Sequence, residues 1–370
     1  MNIMPNNLKR QYDLNAAEYE QKVLEVLRSG WYILGEEVSS FEQEWAEYIG
    51  SRHCVGLASG LDALWMSFRI LGIGAGDEVI VCGNAYIACV MGISMNGAAP
   101  VFVEPDRYDN IDAERIEEKI TSATKAILAV HLYGQACDMT RIMVIAEKYG
   151  LKVVEDCAQS HGNHWRGQTV GTFGDIGCFS FYPSKGCGAF GDAGAIVTDS
   201  DEIAARFRVY RNYGSRIRYQ NEVVGTNSRL DELQAGLLRV KLRHLDAFNA
   251  ERDEIAARYS GEIMNPCIRL PQIRPGADST WHQYVIHVKK GLRDALAKYL
   301  KEKDIGTLIH YPIPPHLSEA YHYLGYRAGD LPITEQFASE VLSLPMYNGM
   351  TAEEQSYVIE MINQFDGRYQ

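Results

Sequence analysis

Over its first half the chain repeats one pattern, a short apolar run followed by a stretch with apolar residues at helical spacing. The runs fall at 53–58, 76–83, 100–103, 125–131 and 151–155, and the helical patterns at 60–71, 84–97, 111–120 and 140–149. Runs that short read as strands, and helices placed between strands act as crossovers that set neighbouring strands parallel. The pattern therefore predicts an α/β chain with a mostly parallel sheet and helices on both faces. No GxGxxG opens the first strand-to-helix turn and no Walker-type phosphate loop is present, which counts against dinucleotide and kinase folds.

Chemistry concentrates in FGDIGCFSFYPSKGCGAFGDAG, residues 173–194. IGCFSFY reads as a buried strand and GAFGDAGAIVTD as a glycine-punctuated turn entering another, so Lys185 sits on a connection between two core strands. An amine held there is partly desolvated, which favours its neutral, nucleophilic form. A solvated turn lysine is the ordinary reading of such a residue; its company argues otherwise. Asp156 ends the apolar run of LKVVEDCAQSHG, where sheet enzymes place ligand-contacting side chains. Ser180 lies just before the lysine, and ASGLD (58–62) opens a helix. A lysine for an aldehyde, a carboxylate for a ring nitrogen and donors at a helix start are the parts that pyridoxal 5'-phosphate requires.

The rest of the chain adds helical patterns at 12–29, 39–51 and 203–213, then one long helix from 230 to 259 that carries the chain into a second domain. The boundary is placed near 246, giving 1–245 as an N-terminal arm and large domain and 246–370 as a smaller one. In the latter, TWHQYVIHV and GTLIHY read as strands, 294–301 and 351–365 as helices, and YPIPPH as a rigid turn. A net charge of −12 argues against nucleic acid or a membrane surface as partner. No apolar signal core or spanning run occurs, so a cytoplasmic protein is expected. The eight cysteines stand singly without a metal spacing, and Cys82, Cys89, Cys157, Cys178 and Cys187 look like small core residues.

With these residues in view, the chain resembles the DegT/DnrJ/EryC1/StrS family of pyridoxal-phosphate-dependent nucleotide-sugar aminotransferases. The matching motifs are SGLDAL (59–64), VEDCAQSHG (154–162), FSFYPSKGCGAFGDAGAIVT (179–198), RNYG (211–214), GTNSRLDELQA (225–235), WHQYVI (281–286), GTLIHYPIPPH (306–316) and LSLPMYNGMTAEE (342–354). The resemblance implies the aspartate-aminotransferase-like fold (fold type I), with a seven-stranded large domain and a smaller α/β domain. It is nearest to the branch that aminates carbon 3 of dTDP-linked 3-oxo-6-deoxyhexoses, from which Ser184, Gly186 and Cys187 depart. It implies formation of a dTDP-3-amino-3,6-dideoxyhexose such as Fuc3N or Qui3N, with L-glutamate as donor, for polysaccharide or natural-product glycosylation. The alternatives are a 4-aminotransferase on a UDP- or GDP-4-keto-6-deoxyhexose and a non-catalytic regulatory relative.

Residue by residue, the resemblance makes Lys185 the cofactor's covalent anchor and the proton carrier. Asp156 would hold the ring nitrogen, Gln159 the ring hydroxyl, and Tyr86 would stack on the ring. Ser59, Gly60, Leu61 and Ser180 would take the phosphate, joined by Asn227 from the neighbouring subunit of a homodimer with shared sites. His161, Tyr182, Arg229, His310, Tyr311 and His316 are candidates for the sugar, nucleotide or donor carboxylate. No metal is expected.

Overall fold

In the computed structural model, which describes residues 2–289 and 291–367, the expected seven-stranded sheet forms the centre of the molecule. Its strand order is His53–Leu57, Gly194–Thr198, Ile176–Ser180, Lys152–Asp156, Thr124–Val130, Glu78–Cys82, Ala99–Val103. Gly194–Thr198 runs against both of its neighbours, and the other pairings are parallel. Parallel strands bury both faces, which accounts for their near-continuous apolar character. Register sets Val130 opposite Asp156 and Asp156 opposite Cys178, so three strand ends finish side by side at the carboxyl edge. Ligands of open α/β sheets bind outside that edge.

Among the described residues there are, beside a small third cluster of Tyr19, Leu237 and Val240, two large hydrophobic cores. One lies on the large sheet, with Phe41, Trp45, Phe68, Phe102, Phe179 and Phe207 among its fully buried members. The other gathers Ile3, Ile255, Tyr259, Tyr284, Leu300 and Val358 around a three-stranded antiparallel sheet, Ile268–Arg269, Tyr284–Val288 and Val341–Leu344. The segment holding Tyr321, Leu331 and Phe337 returns to the first core.

Several elements differ from their sequence reading, each for a contact the local pattern cannot contain. The pattern at 12–29 is two helices, Leu8–Leu14 and Ala16–Ser29, and that at 230–259 is also two, Glu232–Leu242 and Leu245–Glu262. The two breaks brace one another: Asn15 Nδ2 meets His244 Nε2 at 3.0 Å, and Glu18 bonds both residues. The helix expected over 84–97 is Ile87–Ser94, because Asn84 turns aside to donate to the Asp109 carbonyl. Residues 111–120 hold only the 3₁₀ turn Glu117–Lys119, while Ile111 bridges to Pro105 and is buried. GTLIHY is no strand. Leu308 pairs with Ser343 alone, after which Tyr133 donates to the His310 carbonyl and Gln159 to the Tyr311 hydroxyl, turning the chain away. TWHQYVIHV is extended only from Tyr284, because Trp281 adopts φ +45° and Arg252 holds the carbonyls of Trp281 and His282.

Candidate active site

A cavity of about 430 Å³ opens at the carboxyl edge of the sheet, within the usual range for a small-molecule site. One wall is the start of the helix Gly60–Ile70. Ser59 caps it by accepting the Asp62 N–H at 3.1 Å, and the N–H groups of Gly60 and Leu61 in the first turn have no helical carbonyl to meet. Two close approaches require glycine here. A Cβ on Gly60 would lie 2.5 Å from the Ser180 Cβ, and one on Gly194 would overlap the Ser59 carbonyl. Strand ends and helix start are thus pressed together, leaving unpaired N–H groups, the helix dipole and the Ser180 hydroxyl at one spot. Such a place suits an anion.

Facing it is the connection between Ile176–Ser180 and Gly194–Thr198. Its base is closed by Phe181 N–H to the Ala193 carbonyl and Ala189 N–H to the Phe181 carbonyl, and Lys185 N–H bonds the Tyr182 carbonyl across a turn with Pro183 second. Lys185 is thereby carried into the cavity wall. Packing around its amine lowers its pKa from 10.5 to about 8, against the pull of Asp156 and Cys89. Asp156 is buried opposite, its Oδ1 accepting the Ala158 N–H and its Oδ2 the Cys89 thiol, each at 3.0 Å.

Gln159 is fixed between two elements: its Oε1 accepts the Tyr133 N–H at 2.6 Å and its Nε2 donates to the Tyr311 hydroxyl at 3.1 Å. Tyr86 and Tyr311 stand at the cavity with ring centroids 4.8 Å apart, and Tyr182 and His310 also line it. Burial lowers the His310 pKa to about 4, with the Lys185 charge a lesser cause, so its ring is neutral at physiological pH.

The structure brings Lys185, Asp156, Gln159, Ser59, Gly60, Leu61, Ser180, Tyr86, Tyr182, His310 and Tyr311 into one cavity. Four other candidates lie outside its lining. His161 is buried behind the lysine loop, accepting the Cys187 N–H at 3.0 Å and packing on Trp45, Phe179 and Phe181. His316 is buried against Phe102 and bonded to Glu335. Asn227 is exposed and bridges Asn212, whose side chain also accepts from Arg229.

His131, Glu155 and Cys157 offer atoms within 4.8 Å of one another, a metal-like spacing. Hydrogen bonds occupy the histidine and the carboxylate of that set. His131 Nδ1 accepts the Cys137 N–H, leaving Nε2–H for Glu155, whose oxygens also take the N–H groups of Gly171, Phe173 and Gly174. Sequence reading gave no role to the lining residues Cys89, His282, Gln283 and Asp192. For Cys89 a signal existed: it opens the helix after a parallel strand, on the ligand side of the sheet.

A half-buried, partly deprotonated lysine facing a carboxylate, beside an anion-binding helix start, defines an α/β enzyme that works through a carbonyl compound bound to lysine. The DegT/DnrJ/EryC1/StrS aminotransferase family model matches residues 14–363, and the chain belongs to that family. A dTDP-3-amino-3,6-dideoxy-alpha-D-galactopyranose transaminase from Aneurinibacillus thermoaerophilus is 53% identical over 94% of this chain and 95% of its own. The crystal structure of DesV from Streptomyces venezuelae superposes with a TM-score of 0.95 at 44% identity, covering 98% of each chain. NtdA from Bacillus subtilis, solved with bound cofactor PMP, gives a TM-score of 0.90 at 32% identity over 96% of this chain and 83% of its own.

Proposed function

We propose that this protein is a pyridoxal-phosphate-dependent aminotransferase acting on a dTDP-3-oxo-6-deoxyhexose at carbon 3, with L-glutamate as amino donor. The observation that carries the reading is the facing pair Lys185 and Asp156 in one cavity, in a chain so similar to a transaminase of that sugar class. The residues fit the cofactor. The Gly60–Leu61 helix start with Ser59 and Ser180 matches a phosphate, Gln159 a ring hydroxyl, Asp156 a ring N–H, and Tyr86 a ring face. Pyridoxal phosphate supplies an aldehyde and an electron-withdrawing ring.

The chain supplies the rest. Lys185 Nζ, with a pKa near 8, spends part of its time neutral at physiological pH, as a nucleophile needs, and is placed to hold and return the proton leaving the substrate carbon. The Asp156 carboxylate would keep the cofactor's ring nitrogen protonated. His310, neutral and half-buried, offers the sugar hydrogen bonds without adding a charge. Tyr182 and Tyr311 complete the sugar side, and Arg229 is the cation nearest in sequence to the shared-site motif.

The proposal extends to a homodimer in which the partner subunit's Asn227 completes the phosphate site. Exposed Trp31, Tyr32, Ile217, Tyr219 and Val224 support it, since large apolar side chains left in solvent suit a second copy. The two cores support a division at 1–245 and 246–370, with Ile3 joining the second core and Val285 and the 321–341 segment joining the first. Among the described residues no helix is long and apolar enough to cross a membrane. The free cysteines, all but Cys267 buried, accord with a reducing cytoplasm as the setting.

The test is the visible absorbance of purified protein before and after L-glutamate, followed by NMR of the sugar product. A band that shifts with glutamate, and a new C–N bond at carbon 3, are expected. A bond at carbon 4 overturns the sugar assignment. No band after soaking with pyridoxal phosphate overturns the enzyme reading.

A further inference from the structure

Cys89 reads in the sequence as a small core residue, and the function proposed above gives it no part. The structure sets it in the first turn of the helix Ile87–Ser94, fully buried and in the cavity wall. Its thiol makes one hydrogen bond, to Asp156 Oδ2 at 3.0 Å. The carboxylate's other oxygen, Oδ1, takes the Ala158 N–H at 3.0 Å, and among the described residues no further hydrogen-bond donor is recorded on either oxygen.

A carboxylate held by one donor can still rotate about its Cβ–Cγ bond; a second donor on the second oxygen fixes its plane. Each oxygen retains a lone pair, so the carboxylate can still accept a bond from the cavity. The direction of the thiol bond is settled. Burial first, then the neighbouring carboxylate, pushes the Cys89 thiol far above its ordinary value, so it keeps its proton and remains the donor.

We propose that Cys89 is a positioning residue, whose S–H holds the Asp156 carboxylate in the plane that receives the ring N–H of the cofactor. This rests on the proposed pyridoxal phosphate site and names a residue on which that site depends. A thiol is a weaker donor than a hydroxyl, so Oδ2 keeps more of its charge for the ring nitrogen than a serine would leave it.

The experiment titrates cofactor-free protein with pyridoxal phosphate, in the unsubstituted chain, Cys89→Ala and Cys89→Ser. It follows protein fluorescence for affinity and the pH midpoint of the visible band. Cys89→Ala is expected to weaken binding about tenfold, the size of one lost hydrogen bond to a charged group. It is also expected to move the midpoint to higher pH, because a ring nitrogen held less firmly as N–H lowers the proton affinity of the Lys185 nitrogen less. Cys89→Ser restores the donor at nearly the same volume and returns both readings to within about threefold of the unsubstituted protein. If Cys89→Ala matches the unsubstituted protein in both readings, the inference fails while the cofactor site stands. Failure of Cys89→Ser to rescue also overturns it, since sulfur's volume rather than its proton would then matter. No band in the unsubstituted protein overturns the cofactor site and this inference together.

Discussion

Lys185 and Lys241 share a perturbation and differ in everything else. Burial brings each from 10.5 to about 8. Lys185 rides a turn into a cavity and faces Asp156. Lys241 ends the helix Glu232–Leu242, enclosed near Cys187 and Arg252 and absent from the cavity lining. A depressed lysine thus marks desolvation; it marks chemistry only where space for a reactant and an opposing carboxylate accompany it.

The comparison breaks most sharply under substitution. Lys185→Ala is expected to lower transamination by about three orders of magnitude or more, since the proposed nucleophile and proton carrier vanish together. Lys241→Ala should leave kcat within about threefold, because nothing at the reacting centre changes; steady-state rates measured side by side decide it. Next comes the carboxylate. Asp156→Asn should cut kcat/KM about a hundredfold or more and weaken cofactor binding, whereas the unfolding midpoint of the cofactor-free protein should move little.

A pH experiment sharpens the same contrast. Association of pyridoxal phosphate should accelerate as pH rises and level off above about 8, where Lys185 is neutral. His310, with its pKa near 4, should add no inflection at neutral pH. The smallest effect is on stability. Lys241 is depressed in the folded state, so the unfolded chain binds more protons between about 8 and 10.5 and stability rises with pH across that window. Lys241→Met should therefore stabilise by about 1–3 kcal/mol below pH 8 and lose that advantage toward 10.5, as thermal melts along the pH axis would show.

Features written in consecutive residues were legible in the sequence. The strand, turn and strand around Lys185, the capped helix at Ser59 and the acidic strand end at Asp156 are local patterns, and the mostly parallel sheet follows from the alternation of strands and helices; the reversed strand Gly194–Thr198 between its neighbours does not. What escaped depends on partners far along the chain. His161 shares the motif VEDCAQSHG with Asp156 and Gln159, yet it faces the aromatic core because Cys187 N–H and Trp45 claim its ring. His316 follows a proline turn that resembles a pocket rim, and Glu335, brought back by the helix Pro332–Glu340, draws it inward. For Cys89 the sequence gives only its place at the helix start after a parallel strand; its bond to Asp156 is visible only in the fold.

The reversed strand Gly194–Thr198 ties this site to the order of synthesis. His53–Leu57 emerges early from the ribosome, but its hydrogen-bonding partner in the sheet is Gly194–Thr198. At about 5–20 residues per second the earlier strand waits on the order of ten seconds with an open edge. Until then Ser59 and Gly60 have no floor to rest on, so the anion-binding end of the cavity is completed only when the lysine itself has been made. A chain truncated before Gly194 is expected to leave the His53–Leu57 edge unpaired and the helix start at Ser59 and Gly60 without the strand it packs on.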